Sequence, residues 1–204
     1  MNYPVLHGGN MNDTKSYIFE LRDTLSGRLA ARFLFFLFLS VLSCGIAFAV
    51  TSQASYSGYF LAVCPVEKGS FSAAFLSVLR CALPSAVSLL LIYAAAHTVI
   101  SQAVSGAVLL WRGISLGCTG GLISGGMVES VGRYWIPALT LYFAATVLMI
   151  LLAAVSHLYS LGICRAHSDG MTRIRRELAA EYLRMFLILS GGVFILGCTA
   201  VLLI

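Results

Sequence analysis

From Cys81 to Val128 the chain runs for 48 residues with one formal charge, Arg112. The stretch reads CALPSAVSLLLIYAAAHTVISQAVSGAVLLWRGISLGCTGGLISGGMV. A soluble helix needs a polar face as well as an apolar stripe, and this segment supplies none. It is also too rich in glycine for two plain membrane spans, because Gly113, Gly117, Gly120, Gly121, Gly125 and Gly126 all follow the arginine. Two physical readings remain open. The third span is a helix broken inside the bilayer at Arg112, or a helix whose glycine face packs closely against another backbone.

The same absence of charge recurs along the chain. Residues 33–66, 81–111, 113–128, 134–164 and 185–204 contain no Asp, Glu, Lys or Arg. Charged residues make up 10% of the sequence and hydrophobic ones 59%, against about 25% charged in soluble domains. A helix needs about 20 apolar residues to cross the hydrocarbon, which predicts spans near 33–51, 81–100, 104–126, 135–157 and 185–204. The expected fold is an all-α polytopic membrane bundle of about five transmembrane helices with a broken or glycine-rich third span. Residues 1–32 form a cytoplasmic tail and amphipathic lead-in, and residues 33–204 a single transmembrane domain.

Basic residues set the orientation. Lys15, Arg22, Arg28 and Arg32 precede the first span, and Arg165, Arg173, Arg175, Arg176 and Arg184 fill the gap before the last. Four spans separate these groups, so both fall on one face, which the positive-inside rule makes cytoplasmic. The amino terminus is then inside and the carboxyl terminus outside the membrane. The net charge of +5 lies at the ends of apolar windows rather than in a patch with interleaved aromatics, so nucleic acid is not expected as a partner. Ala47-Phe48-Ala49 resembles a signal-peptidase site, but about 32 residues precede the apolar run, which favours an uncleaved anchor.

Between the spans the signals are local. Ile18, Leu21, Leu25 and Leu29 share a helical face, fitting a helix on the inner leaflet or a solvated lead-in. Residues 52–80 form the one sizeable external loop, a membrane-hugging connector or a contact region for an extracytoplasmic partner, with Tyr56, Tyr59, Phe60 and Phe71 suited to the headgroup level. Residues 165–184 resume an amphipathic pattern through Ile174, Leu178 and Tyr182, predicting a surface helix between two spans. Cys44, Cys64, Cys81, Cys118, Cys164 and Cys198 show no metal-binding or redox spacing, although Cys64 and Cys81 flank the external loop and could pair there.

No catalytic motif is present, so no enzymatic activity, metal or cofactor is expected. Tyr93 and His97 lie i,i+4 in the second span and are candidates for a polar core. His157 and Tyr159 fit interfacial anchoring, and Glu129 with Arg133 fits a surface ion pair. Arg112 is costly at a span centre, about 2.5–3.5 kcal/mol on insertion scales; it is expected to snorkel or to pair with carbonyls freed by a break. Gly117 with Gly121, and Gly121 with Gly125, form G-x-x-x-G pairs. That face packs inside the bundle or joins a second copy as a homo-oligomer. A small transporter or permease subunit using Arg112 and Gly113 as a helix break is the alternative reading of function.

An apolar run from Ala103 to Trp111 followed by Arg112-Gly113-Ile114-Ser115-Leu116-Gly117 resembles the stage II sporulation protein M family of polytopic membrane proteins. The length, basic amino-terminal segment, five-span layout and long first external loop are similar too, over residues 28–204. The resemblance implies a scaffold without enzymatic activity. Such a protein anchors and localises peptidoglycan-degrading partners, membrane-associated cell-wall hydrolases, at the septal membrane during endospore engulfment. Membrane lipids are its other expected partners.

Overall fold

The computed structural model describes residues 11–52, 71–124 and 135–202. Among them the chain forms five helices: α1 (Met11–Thr51), α2 (Phe71–Ala95), α3 (Ser101–Ser124), α4 (Trp135–Ser168) and α5 (Thr172–Leu202). Four stretches are long and apolar enough to cross a membrane, Arg28–Thr51, Ser101–Ser124, Ile136–Ser168 and Thr172–Ala200, while the apolar part of α2, Ala82–Ala95, is shorter. This is the helical multi-pass bundle that the charge-free windows predict. Cys64, Glu129 with Arg133, and Gly125 and Gly126 lie outside the described residues, as do the loop aromatics Tyr56, Tyr59 and Phe60, whereas Phe71 and Cys81 fall within α2, so residues 71–80 of the expected external loop are helical.

Large apolar side chains point outward. Phe38, Ile46, Leu90, Leu187, Ile188 and Ile195 are exposed, whereas Ser40, Ser43, Ser101, Ser105, Thr146 and Ser156 are buried. Water would drive the reverse arrangement. In lipid there is no hydrophobic gain from turning Leu inward, so close packing and internal hydrogen bonds select small and hydroxyl residues for the interior. Some of these hydroxyls are satisfied locally: Ser43 donates to the Ser40 carbonyl at 2.9 Å and Thr146 to the Tyr142 carbonyl at 2.9 Å, whereas Ser101 and Ser105 have no hydrogen-bond partner among the described residues.

Helix α1 is a single element of 41 residues, roughly 60 Å at 1.5 Å per residue, about twice the hydrocarbon thickness. The lead-in and the first span are therefore one rod that passes residue 32 without interruption. Helix α3 likewise continues through Arg112 and Gly113, so the third span is glycine-rich and unbroken. The chain reverses earlier, at residues 96–100. There Thr98 turns back on the end of α2: its amide and its hydroxyl both donate to the Ala95 carbonyl, at 2.9 and 2.8 Å. That satisfies a carbonyl the helix end leaves free.

The amphipathic segment at 165–184 is not a separate surface helix. Helix α4 carries on to Ser168, the chain turns over Asp169, Gly170 and Met171, and α5 starts at Thr172. Gly170 sits at φ +69°. The Met171 amide donates to the Ala166 carbonyl at 2.9 Å and the Gly170 amide to the His167 carbonyl at 3.2 Å, the paired bonds of a Schellman cap. The apolar face predicted there packs back on α4, where Ile174 and Leu178 join Ile163 and Ala166.

Helix α4 occupies the centre. Residues 152–158 are buried without a gap, and Met149, Ile150, Leu152, Ala153 and Ala154 meet Phe36 of α1, Leu89 and Ile92 of α2, Val108 and Leu109 of α3 and Val193 of α5. Gly106 lies near Leu39, Gly113 near Ser40 and Ser43, Gly117 near Cys44 and Ala47, and Gly121 near Thr51. The numbers rise together, so α1 and α3 run parallel. Arg112 meets Tyr142 and Ser160 meets Thr98, so α3 and α4 run antiparallel. The start of the first span, the α2–α3 turn and the α4–α5 turn consequently share one end of the bundle, and the basic residues Arg28, Arg32, Arg165, Arg173, Arg175 and Arg176 gather there.

Gly170 has open space around it but a left-handed backbone. Gly170→Ala should lower stability by about 1 kcal/mol, read as a lower thermal unfolding midpoint in detergent, whereas Gly197→Ala, in open space within α5, should not.

Candidate functional site

The most distinctive segment of the sequence builds a seam between α1 and α3. Gly113, Gly117 and Gly121 recur every fourth residue and so share one helical face. A methyl group on Gly113 would overlap the Ser43 hydroxyl and lie 2.5 Å from the Ser40 carbonyl oxygen. One on Gly117 would overlap the Cys44 carbonyl oxygen and lie 2.9 Å from the Ala47 methyl. One on Gly121 would overlap the Thr51 hydroxyl, with the Phe48 carbonyl oxygen at 3.0 Å. The facing surface of α1 is made of small residues as well, Ser40, Ser43, Cys44, Ala47 and Thr51. The glycine face is thus filled from within the chain. Gly113, assigned by its place beside Arg112 to a helix break, is instead the first residue of the seam.

Arg112 leaves α3 on a different side. One residue advances a helix by about 100°, so with Gly113 turned to α1 its neighbour faces α4. Arg112 is 4% exposed, and its guanidinium carbon lies 4.7 Å from the centroid of the Tyr142 ring. Its Nη1 donates to the Tyr142 hydroxyl. It neither snorkels to an interface nor caps carbonyls at a break, because the helix around it is intact and its partner is a side chain of α4. A cation over an aromatic face is worth about 2 kcal/mol when desolvated, comparable to the cost of placing arginine at a span centre. The Nε of Arg112 has no hydrogen-bond partner among the described residues.

Tyr93 and His97 do come together, with ring centroids 5.3 Å apart, but not in the middle of a span. His97 falls in the α2–α3 turn and is exposed. Tyr93 stacks on Tyr182 at 5.8 Å and 12° and approaches Phe186 at 4.9 Å. Tyr159 approaches Tyr182 at 5.7 Å, and the buried Tyr182 hydroxyl bonds the Ser156 hydroxyl at 2.9 Å. These rings form an aromatic layer tying α2, α4 and α5 near the basic end. His157 is buried, 4% exposed, rather than anchored at an interface. Neither of its ring nitrogens has a hydrogen-bond partner among the described residues.

Beside the seam, a lateral apolar groove of about 720 Å³ lies between α1, α3 and α4, with Gly45, Phe48, Gly117, Gly120, Phe143 and Thr146 in its walls. Among the described residues no three His, Cys, Asp or Glu side chains come together. The described cysteines with resolved surroundings, Cys44, Cys118, Cys164 and Cys198, are free thiols. The polar groups of the bundle interior include the Arg112–Tyr142 pair, the Ser156–Tyr182 pair and His157.

Two substitutions test this arrangement. Gly117→Leu should destabilise the bundle by about 3 kcal/mol or prevent assembly, while Gly120→Ala, whose new methyl would sit 3.4 Å from the Phe48 ring, should be nearly neutral. Tyr142→Phe keeps the ring but removes the acceptor for a buried charge, and should lower stability by about 1.5–3 kcal/mol; Tyr142→Phe in an Arg112→Met background should have little further effect. Equal losses in both backgrounds would show that Arg112 and Tyr142 are uncoupled. Compared with known proteins, the chain matches no family model, no curated protein and no solved structure.

Proposed function

We infer that the chain is a membrane scaffold of the stage II sporulation protein M type, which anchors and localises peptidoglycan-degrading partners at the septal membrane during engulfment. The observation that carries this reading is the use made of the Arg112–Gly117 segment. Gly113 and Gly117 serve as close-packing sites against α1, and Arg112 is engaged by Tyr142. The segment on which the family resemblance rests thus supports the architecture of a bundle rather than a catalytic centre. The Ser-, Tyr- and Gly-rich segment 52–80 is the proposed contact region for the hydrolases. With the basic residues gathered at one end, the positive-inside rule puts that end and the amino terminus in the cytoplasm and the carboxyl terminus outside a bacterial cell membrane.

A second reading, a small permease subunit, draws on the buried Nε of Arg112, which has no hydrogen-bond partner among the described residues and could face a solute. Affinity recovery of the full chain from its native membrane separates the two. The scaffold reading expects a cell-wall hydrolase to co-purify and to be lost when residues 53–70 are replaced by a Gly/Ser linker. Loss of solute uptake into vesicles on Arg112→Ala, with hydrolase recovery unchanged or absent throughout, would decide for the permease.

Orientation has its own measurement. In a background lacking native cysteines, Ile204→Cys should react with an impermeant maleimide in intact cells, and Asn2→Cys only after permeabilisation. The opposite labelling pattern would invert the assignment.

A further inference from the structure

At the basic end of the bundle, a cavity of about 580 Å³ opens between the α2–α3 turn and the α4–α5 hairpin. His97 and Thr98 line it from the turn, His167 and Ser168 from the end of α4, and Arg175 and Arg176 from the start of α5. Among the described residues, positive charge here is left without a counterpart. Arg165 pairs with Asp169 at 3.7 Å and Arg173 with Glu177 at 3.2 Å, but Arg175 and Arg176 form no ion pair among the described residues. Helix α5 has no acidic residue in its first turn, although a helix amino terminus carries about half a positive charge. Arg175 instead donates from Nη1 to Nδ1 of His167 at 2.9 Å. This sets a guanidinium against a ring nitrogen that accepts only when unprotonated.

An anion seated among these groups would satisfy all of them at once, and the surroundings indicate which kind. Val99 and Ile100, beside the cavity, are 83% and 62% exposed, an apolar edge next to a cationic pocket at the end of spanning helices. Basic pockets between transmembrane helices take lipid headgroups in this setting. We propose that the cavity binds the phosphate group of an anionic membrane lipid, held by Arg175 and Arg176 with His97 and His167 at its sides, while the acyl chains lie along Val99 and Ile100. The site does not rest on the scaffold reading and is tested without any protein partner.

Binding to the purified full chain in detergent can be read by native mass spectrometry, using phosphatidylglycerol, phosphatidylcholine and inorganic phosphate as separate probes. Phosphatidylglycerol should be retained in preference to phosphatidylcholine. Arg176→Gln should weaken it about fivefold, and Arg175→Gln with Arg176→Gln at least about tenfold. Arg173→Gln, in the same turn but paired to Glu177 and outside the cavity lining, should leave it unchanged. Arg176 makes no bond within the described fold, so its variant should keep the parent unfolding midpoint and report binding alone. Loss of inorganic phosphate binding in the same variants, with phosphatidylglycerol unaffected, would keep the phosphate site but overturn lipid as its source. Equal retention of phosphatidylcholine, equal weakening by Arg173→Gln, or no effect of Arg176→Gln on either anion would overturn the site.

Discussion

The approach of α3 to α1 at backbone distance is the contact on which the rest of the bundle depends. Three glycines spaced by four residues put no side chain of α3 between the helices, and every added methyl would meet a backbone or hydroxyl oxygen of α1. Because the two helices touch at backbone distance, α2 cannot lie between them and returns along another side, where it packs against α3, α4 and α5. The same seam fixes the rotation of α3. With Gly113 held against α1, the 100° step of the helix aims Arg112 at α4, where Tyr142 receives it.

That arrangement makes sense only in a solvent without water. Burial of Leu or Phe gains little between helices already surrounded by hydrocarbon, so the large apolar side chains remain on the outside and shape complementarity decides the interior. Arg112 would be expensive in lipid, about 2.5–3.5 kcal/mol. Its ring contact and hydrogen bond with Tyr142 offset a cost of that size without a large surplus. The pair therefore adds little net stability. Its value is specificity: any rotation or shift of α3 against α4 would strand a cation in the bundle, so the contact selects one register.

Much of the fold is legible in the sequence because charge is excluded from hydrocarbon whatever the tertiary structure. Windows without Asp, Glu, Lys or Arg locate the helices, and Gly117 with Gly121 announces a close-packed face. The remainder depends on partners distant in sequence. Tyr142 lies 30 residues from Arg112 and looks like any span tyrosine until α3 and α4 are set antiparallel. The seating of Gly113 is decided by Ser40 and Ser43, which carry no such signal. His97 follows an uninterrupted apolar run, and only the local hydrogen bonds of Thr98 to Ala95 end the helix before it. The hairpin at Gly170 has a local signal of its own. A glycine just after a basic last turn marks a helix end, and the Ser156–Tyr182 bond confirms a register centred about that turn.

The distribution of contacts also divides the bundle into pairs. Helix α1 is committed to α3 through a seam in which α3 contributes no side chains, and α4 is committed to α5 through a three-residue turn and a continuous apolar face. The lateral groove lies between these two pairs, along the α1–α4 and α3–α4 boundaries. Arg112 and Tyr142 bridge that boundary in the middle of the span, and Ser160 bonds Thr98 across it at the basic end. Both ties must break for the pairs to separate, and breaking the first leaves a buried charge without its acceptor. A scaffold requires them to stay closed, whereas a permease would open them in each cycle. The mid-span pair is therefore the contact whose strength divides the two readings of this protein.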